Sequence, residues 1–272
     1  MKRPRPSTVR WLIVVFVLAM WEAVPRAGLI PELLLPSLSK TLMALFVDRA
    51  LYGQAMLVTL YEIGFAMLIA CGGGILIGAA VGGVARLRNL LLPVFSSLYA
   101  VPIVILYPIF TAWFGIGSQS KIIFAGVYGF FPVMLSTAAG IRTIEEQLLT
   151  AARSMGATVP QQITRVVIPA SIPTVLTGLR LGGALTIIGV VVSEMLTSSA
   201  GIGYLVTSYR TVLDSPHVFA GVLMILIFSI LFDTLARAVE RRTMVWQTAG
   251  RRERSLSREE ARIAAAPAPA PA

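Results

Sequence analysis

The sequence predicts an all-α, polytopic membrane protein of about six transmembrane helices, with a polar two-helix insertion between the fourth and the fifth. Three observations predict it. Of 272 residues, 56% are hydrophobic and 13% charged, with mean hydropathy +0.81, whereas about a quarter of an average soluble chain is charged. Apolar runs long enough to cross a bilayer recur along the chain, roughly 20 residues being needed. One stretch, Thr143 to Pro169, interrupts them with polar, helix-forming residues.

In chain order, the first run is Trp11 to Val24, behind the basic segment KRPRPSTVR. That pairing imitates a secretory leader, but no Ala-x-Ala-like cleavage site follows. Trp21, Glu22, Pro25 and Arg26 come instead, so a retained span ending near Ala27 is expected. Ala55 to Val84 supplies the second span and Leu90 to Phe114 the third. Pro93, Pro102 and Pro108 predict that the third is kinked or split, which is tolerable where protein covers the freed carbonyls. Ile122 to Ile141, Val175 to Leu196 and Val218 to Ala238 complete the set. Three regions follow: 1–50, an N-terminus, first span and loop; 51–242, the membrane core; and 243–272, a charged tail. In the tail, Arg251 to Arg262 reads as a surface helix and the Ala/Pro repeat from Pro267 to Ala272 as extended and disordered.

Lys and Arg near span ends set orientation, because cytoplasmic loops carry the excess. Lys2, Arg3, Arg5, Arg10, Arg86, Arg88, Arg142, Arg153, Arg165 and the residues from Arg237 onward fall on one side. Arg26, Lys40, Arg49, Lys121 and Arg210 fall on the other. Both termini and the polar insertion are therefore expected in the cytoplasm.

The insertion begins with Thr143 and Glu146 at capping-box spacing, which predicts a helix start. Leu148, Leu149, Ala152 and Met155 then form one apolar stripe, and Gly156 supplies the left-handed residue that ends the helix. A second short helix follows. Thr158 and Gln161 repeat the capping-box spacing, Pro160 suits a first turn, Ile163, Val166 and Val167 share a face, and Pro169 is expected to stop the helix. Such an element has one apolar edge and nothing of its own to bury it against. It predicts either docking in a partner's groove or an amphipathic hairpin lying on the lipid surface.

The insertion resembles the cytoplasmic loop of type I ABC (ATP-binding-cassette) importer permeases, whose pattern is Glu-Ala-Ala, three residues, Gly, nine residues, Ile-x-Leu-Pro. Ala151, Ala152, Gly156 and Pro169 match at that spacing, with Val166 and Ile168 for the aliphatic pair. Thr150 stands where the family usually has Glu, which alters one polar contact but leaves stripe and elbow intact. Downstream, TGLRLGGALTIIGVVVSEML, from Thr177 to Leu196, and GIGYLV, from Gly201 to Val206, resemble the nitrate, sulfonate, taurine and pyrimidine-precursor branch. The resemblance covers Leu51 to Arg242. It implies a permease subunit in a bacterial inner membrane whose loop residues Thr150, Ala151, Ala152, Met155, Gly156, Ala157, Pro160, Val166, Ile168 and Pro169 couple to a separate ATPase. It further implies a second permease copy, identical or similar, and an extracytoplasmic solute-binding protein. No cofactor is expected in this chain, ATP and magnesium belonging to the ATPase.

Other function classes find little support. A net charge of +10 suggests nucleic acid in a soluble protein, but here the charge marks membrane sidedness. One cysteine, Cys71, and one histidine, His217, allow no internal disulfide and no zinc cluster. No catalytic triad, His pair or Ser/Lys signature is evident. The glycines at Gly72 to Gly74, Gly78, Gly82 and Gly83 lack the Gly-Lys of a Walker loop. Gly74, Gly78 and Gly82 fall every fourth residue, which predicts close packing against another span. A secondary transporter driven by an ion gradient is the alternative function, though paired repeats and multiple midplane carboxylates are not evident.

Charges within spans are costly and usually face protein or water. Glu194, and with it Glu62, are candidates for a translocation pathway. Arg180 is expected to snorkel to headgroups, and Asp233 to pair with Arg237 four residues on. Trp11, Trp21, Trp113 and Tyr204 are expected in aromatic belts, and nothing near His217 in sequence makes it a ligand.

Overall fold

The computed structural model describes residues 6–243, so Lys2, Arg3, Arg5 and the tail from 244, with its expected surface helix and extended repeat, lie outside the described residues. Helix α1, Pro6–Arg26, is followed by α2, Leu38–Val47, and α3, Arg49–Met67. A π-type stretch, Leu68–Gly73, joins α3 to α4, Gly74–Gly83. Next come α5, Ala85–Tyr99, a 3₁₀ turn at Ile103–Leu106, and α6, Tyr107–Phe114. Helices α7, Ser118–Arg142, α8, Glu146–Ser154, and α9, Val159–Gln162, precede a second π-type stretch, Ile163–Val167. The fold closes with α10, Ile168–Leu196, α11, Ile202–Thr211, and α12, Ser215–Thr243.

Among the described residues five continuous helices are long and apolar enough to cross a membrane: Thr8–Arg26, Arg49–Gly83, Ser118–Arg142, Val159–Leu196 and Ser215–Thr243. A sixth span forms if the pair Ala85–Tyr99 and Ile103–Phe114, bent by 83°, is taken as one. The prolines explain that break. Pro102 has no N–H, and extended backbone at this residue (ψ 90°) sets the corner between the two pieces.

Helix α7 is the central element. Its buried positions include Phe124, Ala125, Gly129, Val133, Met134 and Ala138, and it packs along most of α10 and α4. Close approach depends on small residues. A Cβ on Gly74 would lie 2.7 Å from Val133 Cβ, one on Gly78 2.6 Å from Met134 O, and one on Gly82 2.9 Å from Ala138 Cα. The helix backbones therefore touch where lipid offers no hydrophobic drive of its own.

Two expectations, for Pro169 and Arg180, need correction here. Pro169 does not stop the second loop helix, because α9 runs through the π-type stretch into α10 as one rod, Val159–Leu196. The widened turn takes an N–H from Ile168 to the carbonyl of Ile163, five residues back, so a proline that has no N–H sits at the start of α10 without breaking the path. Lys121, counted among the charges near span ends, is at such an end but buried. It lies in the first turn of α7, 2% exposed. Arg180 does not snorkel: its Nε lies 2.7 Å from Asp233 Oδ1 and its Nη1 3.5 Å from Glu240 Oε2, both on α12. Carboxylates within reach give a firmer partner than distant headgroups. Asp233 also pairs with Arg237.

The aromatic side chains divide. Trp11 and Trp113 are 71% and 73% exposed, whereas Trp21 donates from its ring nitrogen to Pro36 O at 3.0 Å. His217 is less isolated than its sequence neighbours imply. It stacks on Tyr209 with centroids 4.5 Å apart, and its ring nitrogens lie 3.1 Å from Asp48 Oδ2 and 2.8 Å from Asp214 Oδ2.

Candidate functional site

The polar insertion forms one end of the bundle. At its start the predicted cap at Thr143 is not made. Thr143 closes α7 instead, donating its N–H to Ala139 O at 3.0 Å and its hydroxyl to Gly140 O at 3.2 Å. Glu145, in extended conformation, precedes the first turn of α8, and its carbonyl accepts from Leu148 N–H at 3.0 Å. The preceding helix runs far enough to take the threonine that a local pattern assigns to the next one.

The elbow satisfies its backbone internally. Gly156 has φ +75°; its N–H donates to Arg153 O at 2.9 Å, and the next N–H, of Ala157, reaches back to Ala152 O at 3.0 Å. This pair of bonds is the Schellman motif, in which the left-handed residue lets the chain fold over its last turn and occupy carbonyls that would otherwise be orphaned. The motif gives the Ala-x-x-x-Gly spacing a physical reason. Ala152 is the carbonyl the turn returns to, and its small side chain is 4% exposed under the fold-over. Any other residue at Gly156 must adopt a conformation that L side chains disfavour.

Past the elbow, Thr158 N–H donates to Gln161 Oε1 at 2.8 Å, and Gln162 Nε2 to Ala157 O at 2.9 Å. Pro160 sits within the first turn of α9, where a missing N–H leaves nothing unsatisfied. Backbone and caps thus fix the shape, while several apolar side chains stay uncovered. Met155 is 82% exposed, Val159 66%, and Leu148, Ile163 and Ile168 are about half exposed. Thr150 and Ala151 lie on the exposed surface of α8, Pro169 is exposed, and Val166 is half-buried.

At the opposite end of the bundle the two candidate pathway carboxylates are enclosed rather than open. Glu62 on α3 is fully buried, with Oε1 2.5 Å from Lys121 Nζ and accepting from the Ser118 hydroxyl at 2.8 Å. The same ammonium donates to Ser198 Oγ at 2.9 Å, in the loop after α10. Glu194, 1% exposed, sits on α10 with Oε1 2.7 Å from Thr59 Oγ1 and Oε2 accepting from Gly203 N–H at 2.8 Å. One rim of Glu194 also borders an open cleft of about 410 Å³ lined by Ser198, Ser199, Tyr204 and Thr207. Sequence reasoning singled out the two glutamates and missed Lys121, Thr59, Ser118 and Ser198. Their spacing carries no local signal, since Thr59 and Glu194 are 135 positions apart.

A central rod packed through glycines, a short helix α11 at one end and a capped two-helix elbow at the other are the arrangement of a membrane-spanning transport subunit, and comparison with known proteins bears this out. The chain belongs to the family of binding-protein-dependent transport system inner membrane components, whose match spans residues 72–245. It is 30% identical over 90% of its length to a putative aliphatic sulfonates transport permease protein of Bacillus subtilis (strain 168), covering 91% of that protein. With the taurine transport system permease protein of Escherichia coli (strain K12) it shares 32% identity over 85% of this chain and 86% of the relative. A formylaminopyrimidine transport permease protein of Halalkalibacterium halodurans is 27% identical over 91% of this chain and 99% of the relative. The fold is similar to that of a chain in inward-facing crystal structures of the MetNI methionine ABC transporter, with TM-score 0.62 and 16% identity over 72% of this chain and 97% of that one.

The chain is accordingly the permease of an ABC importer, a transmembrane component without a catalytic role. Membership in a binding-protein-dependent system implies an ATPase and a binding protein as partners. The ion-gradient alternative gives way to this assignment.

Proposed function

We propose that residues 143–169 are the lever through which a cytoplasmic ATPase drives this permease, and that two copies, or this chain and a similar one, enclose the path of a small solute. The observation that carries it is the elbow. Its backbone is closed on itself around Ala152 and Gly156, while Met155 and Val159 stand exposed beside it. A rigid, capped element with uncovered apolar side chains fits a cleft in a partner, and rigidity is what transmission of motion requires. ATP and magnesium belong to that partner, and ATP-driven closure of the ATPase pair would shift the spans between two arrangements.

The positive-inside pattern supports a cytoplasmic loop and cytoplasmic termini in a bacterial inner membrane. The opposite end then meets an extracytoplasmic binding protein that delivers the solute. The relatives named for sulfonates, taurine and formylaminopyrimidine support a small polar organic solute, selected largely by the binding protein. Continuity of α9 with α10 supports the lever further, because a push on the elbow enters a rod, Val159–Leu196, that carries Glu194 in its last turn.

The test is co-purification with a co-expressed ABC ATPase, together with solute uptake. Gly156→Pro, which cannot adopt the left-handed conformation, and Ala152→Glu, which forces a charge under the fold-over, are expected to abolish both while the chain still reaches the membrane. Unchanged association and uptake in both variants would overturn the coupling role.

A further inference from the structure

The three ionisable side chains buried at the end of the bundle away from the elbow do not balance. Glu62, Lys121 and Glu194 are each no more than 2% exposed. The single ammonium lies 2.5 Å from Glu62 and also donates to the Ser198 hydroxyl. Among the described residues no Lys, Arg or His nitrogen stands within salt-bridge distance of Glu194. The groups facing it from the packed elements are Glu62 and Thr59 on α3, Lys121 on α7, the Tyr107 hydroxyl, which is directed at Thr197 O at 3.4 Å, and the first N–H groups of α11. An ionised Glu194 would be a second carboxylate in a site whose one cation is already paired.

Hydrogen counting around Thr59 points the same way. Its Oγ1 accepts from Ile202 N–H at 3.0 Å and has two further oxygens in range, Ala55 O at 3.2 Å and Glu194 Oε1 at 2.7 Å. A hydroxyl has one hydrogen, so with an ionised Glu194 it goes to the carboxylate at 2.7 Å and the Ala55 carbonyl keeps only its helical N–H partner. A hydrogen on Glu194 Oε1 serves both oxygens. Glu194 then donates to Thr59, Thr59 donates to Ala55 O, and Glu194 Oε2 still accepts from Gly203 N–H at 2.8 Å. Donors and acceptors from Gly203 through Glu194 and Thr59 to Ala55 are then matched, and Glu194 carries no unpaired charge.

We propose that Glu194 is held as the neutral acid and acts as a positioning residue, a two-pronged clamp that seats the short helix α11 between α3 and α10. Its carboxyl caps the start of α11 from another helix, together with Thr59, and fixes the two N–H groups after Gly201. That glycine, at φ +103°, lies where a Cβ would collide with the carboxyl. What the clamp seats is an apolar patch: Ile202, Leu205 and Val206 are buried against Tyr52, Ala55 and Ala220. The inference rests on this chain's own contacts and not on the identity of the solute.

The test uses the full-length chain in lipid nanodiscs. Infrared difference spectra between wild type and Glu194→Gln at neutral pH should contain a protonated-carboxyl C=O stretch, sensitive to deuteration, that the variant lacks. Seating of α11 is read separately by adding Val206→Cys to a Cys71→Ala background and following maleimide labelling. Gln can donate to Thr59 and accept from Gly203, so the thiol at position 206 should stay as protected in Glu194→Gln as in the parent. In Glu194→Ala it should label several-fold faster. A spectrum with only ionised-carboxylate bands at Glu194 would overturn the proposal, as would equal labelling of the Gln and Ala variants. If the Ala variant does not accumulate, the spectrum and the Gln variant decide alone.

Discussion

The two ends of this bundle solve opposite problems. At the elbow, Met155 through Gln162, the bonds that set the shape are between neighbours: Ala157 to Ala152, Gly156 to Arg153, Thr158 to Gln161. Apolar side chains there are left uncovered. At the far end most of the bonds join residues 56 to 143 positions apart, such as Ser118 to Glu62 and Ile202 to Thr59, and the side chains are sealed. A locally closed element keeps its form while a partner takes hold of it, whereas a site stitched from α3, α7, α10 and α11 keeps its form only while the bundle is assembled. Substitutions should therefore separate the two ends, one losing association without stability and the other losing stability first.

The largest effect is expected at Lys121. Lys121→Met leaves the Glu62 carboxylate buried with its ammonium gone, and removing one partner of a buried pair costs about 3–5 kcal/mol. A fall in the thermal unfolding midpoint of the purified chain checks it. The double change Glu62→Gln with Lys121→Met should recover most of the loss, because the penalty belongs to the stranded charge rather than to the missing bond. Loss of equal size in the double variant would mean that the pair itself, through Ser118 and Ser198, holds the site.

A smaller effect separates glycines that look alike in sequence. Gly78→Ala places a methyl 2.6 Å from Met134 O, whereas at Gly83 an added Cβ meets nothing within 4 Å. Overpacking of this kind costs about 1–3 kcal/mol, and Gly83→Ala should be neutral or slightly stabilising as a helix gain. Unfolding midpoints of the two variants measured side by side check the difference.

The same contrast governs what the sequence disclosed. Membrane spans, the elbow at Gly156 and the second cap at Gln161 were legible because hydropathy, glycine handedness and capping act over a few residues. Thr143 misled, since a capping pattern does not say which of two abutting helices owns the threonine. Pro169 misled because a stop rule assumes α-helical spacing, and the wider turn from Ile163 to Ile168 makes room for a residue without an N–H. Lys121 and Arg180 were read as interfacial or surface charges on position alone. Their partners, Glu62 for one and Asp233 with Glu240 for the other, come from other helices, and no pattern along a single chain announces them. The short helix α11 was anticipated only as a resembling stretch, because its apolar side is shorter than a span and its N-terminus is capped from α10.

The smallest expected effect on the fold is at Met155, and it sharpens the comparison most. The side chain is 82% exposed, so Met155→Asp should move the unfolding midpoint by no more than a surface change does, within about 0.5 kcal/mol. If the uncovered apolar side chains are what a partner grips, the same change should remove co-purification with the ATPase, because a charge must then be desolvated in an apolar contact. Stability retained with association lost would place the function of this end in its surface. Both retained would shift the grip to Val159 and Ile163 on the other side of the elbow, and a stability loss like that of Lys121→Met would mean that the elbow is held by the bundle after all.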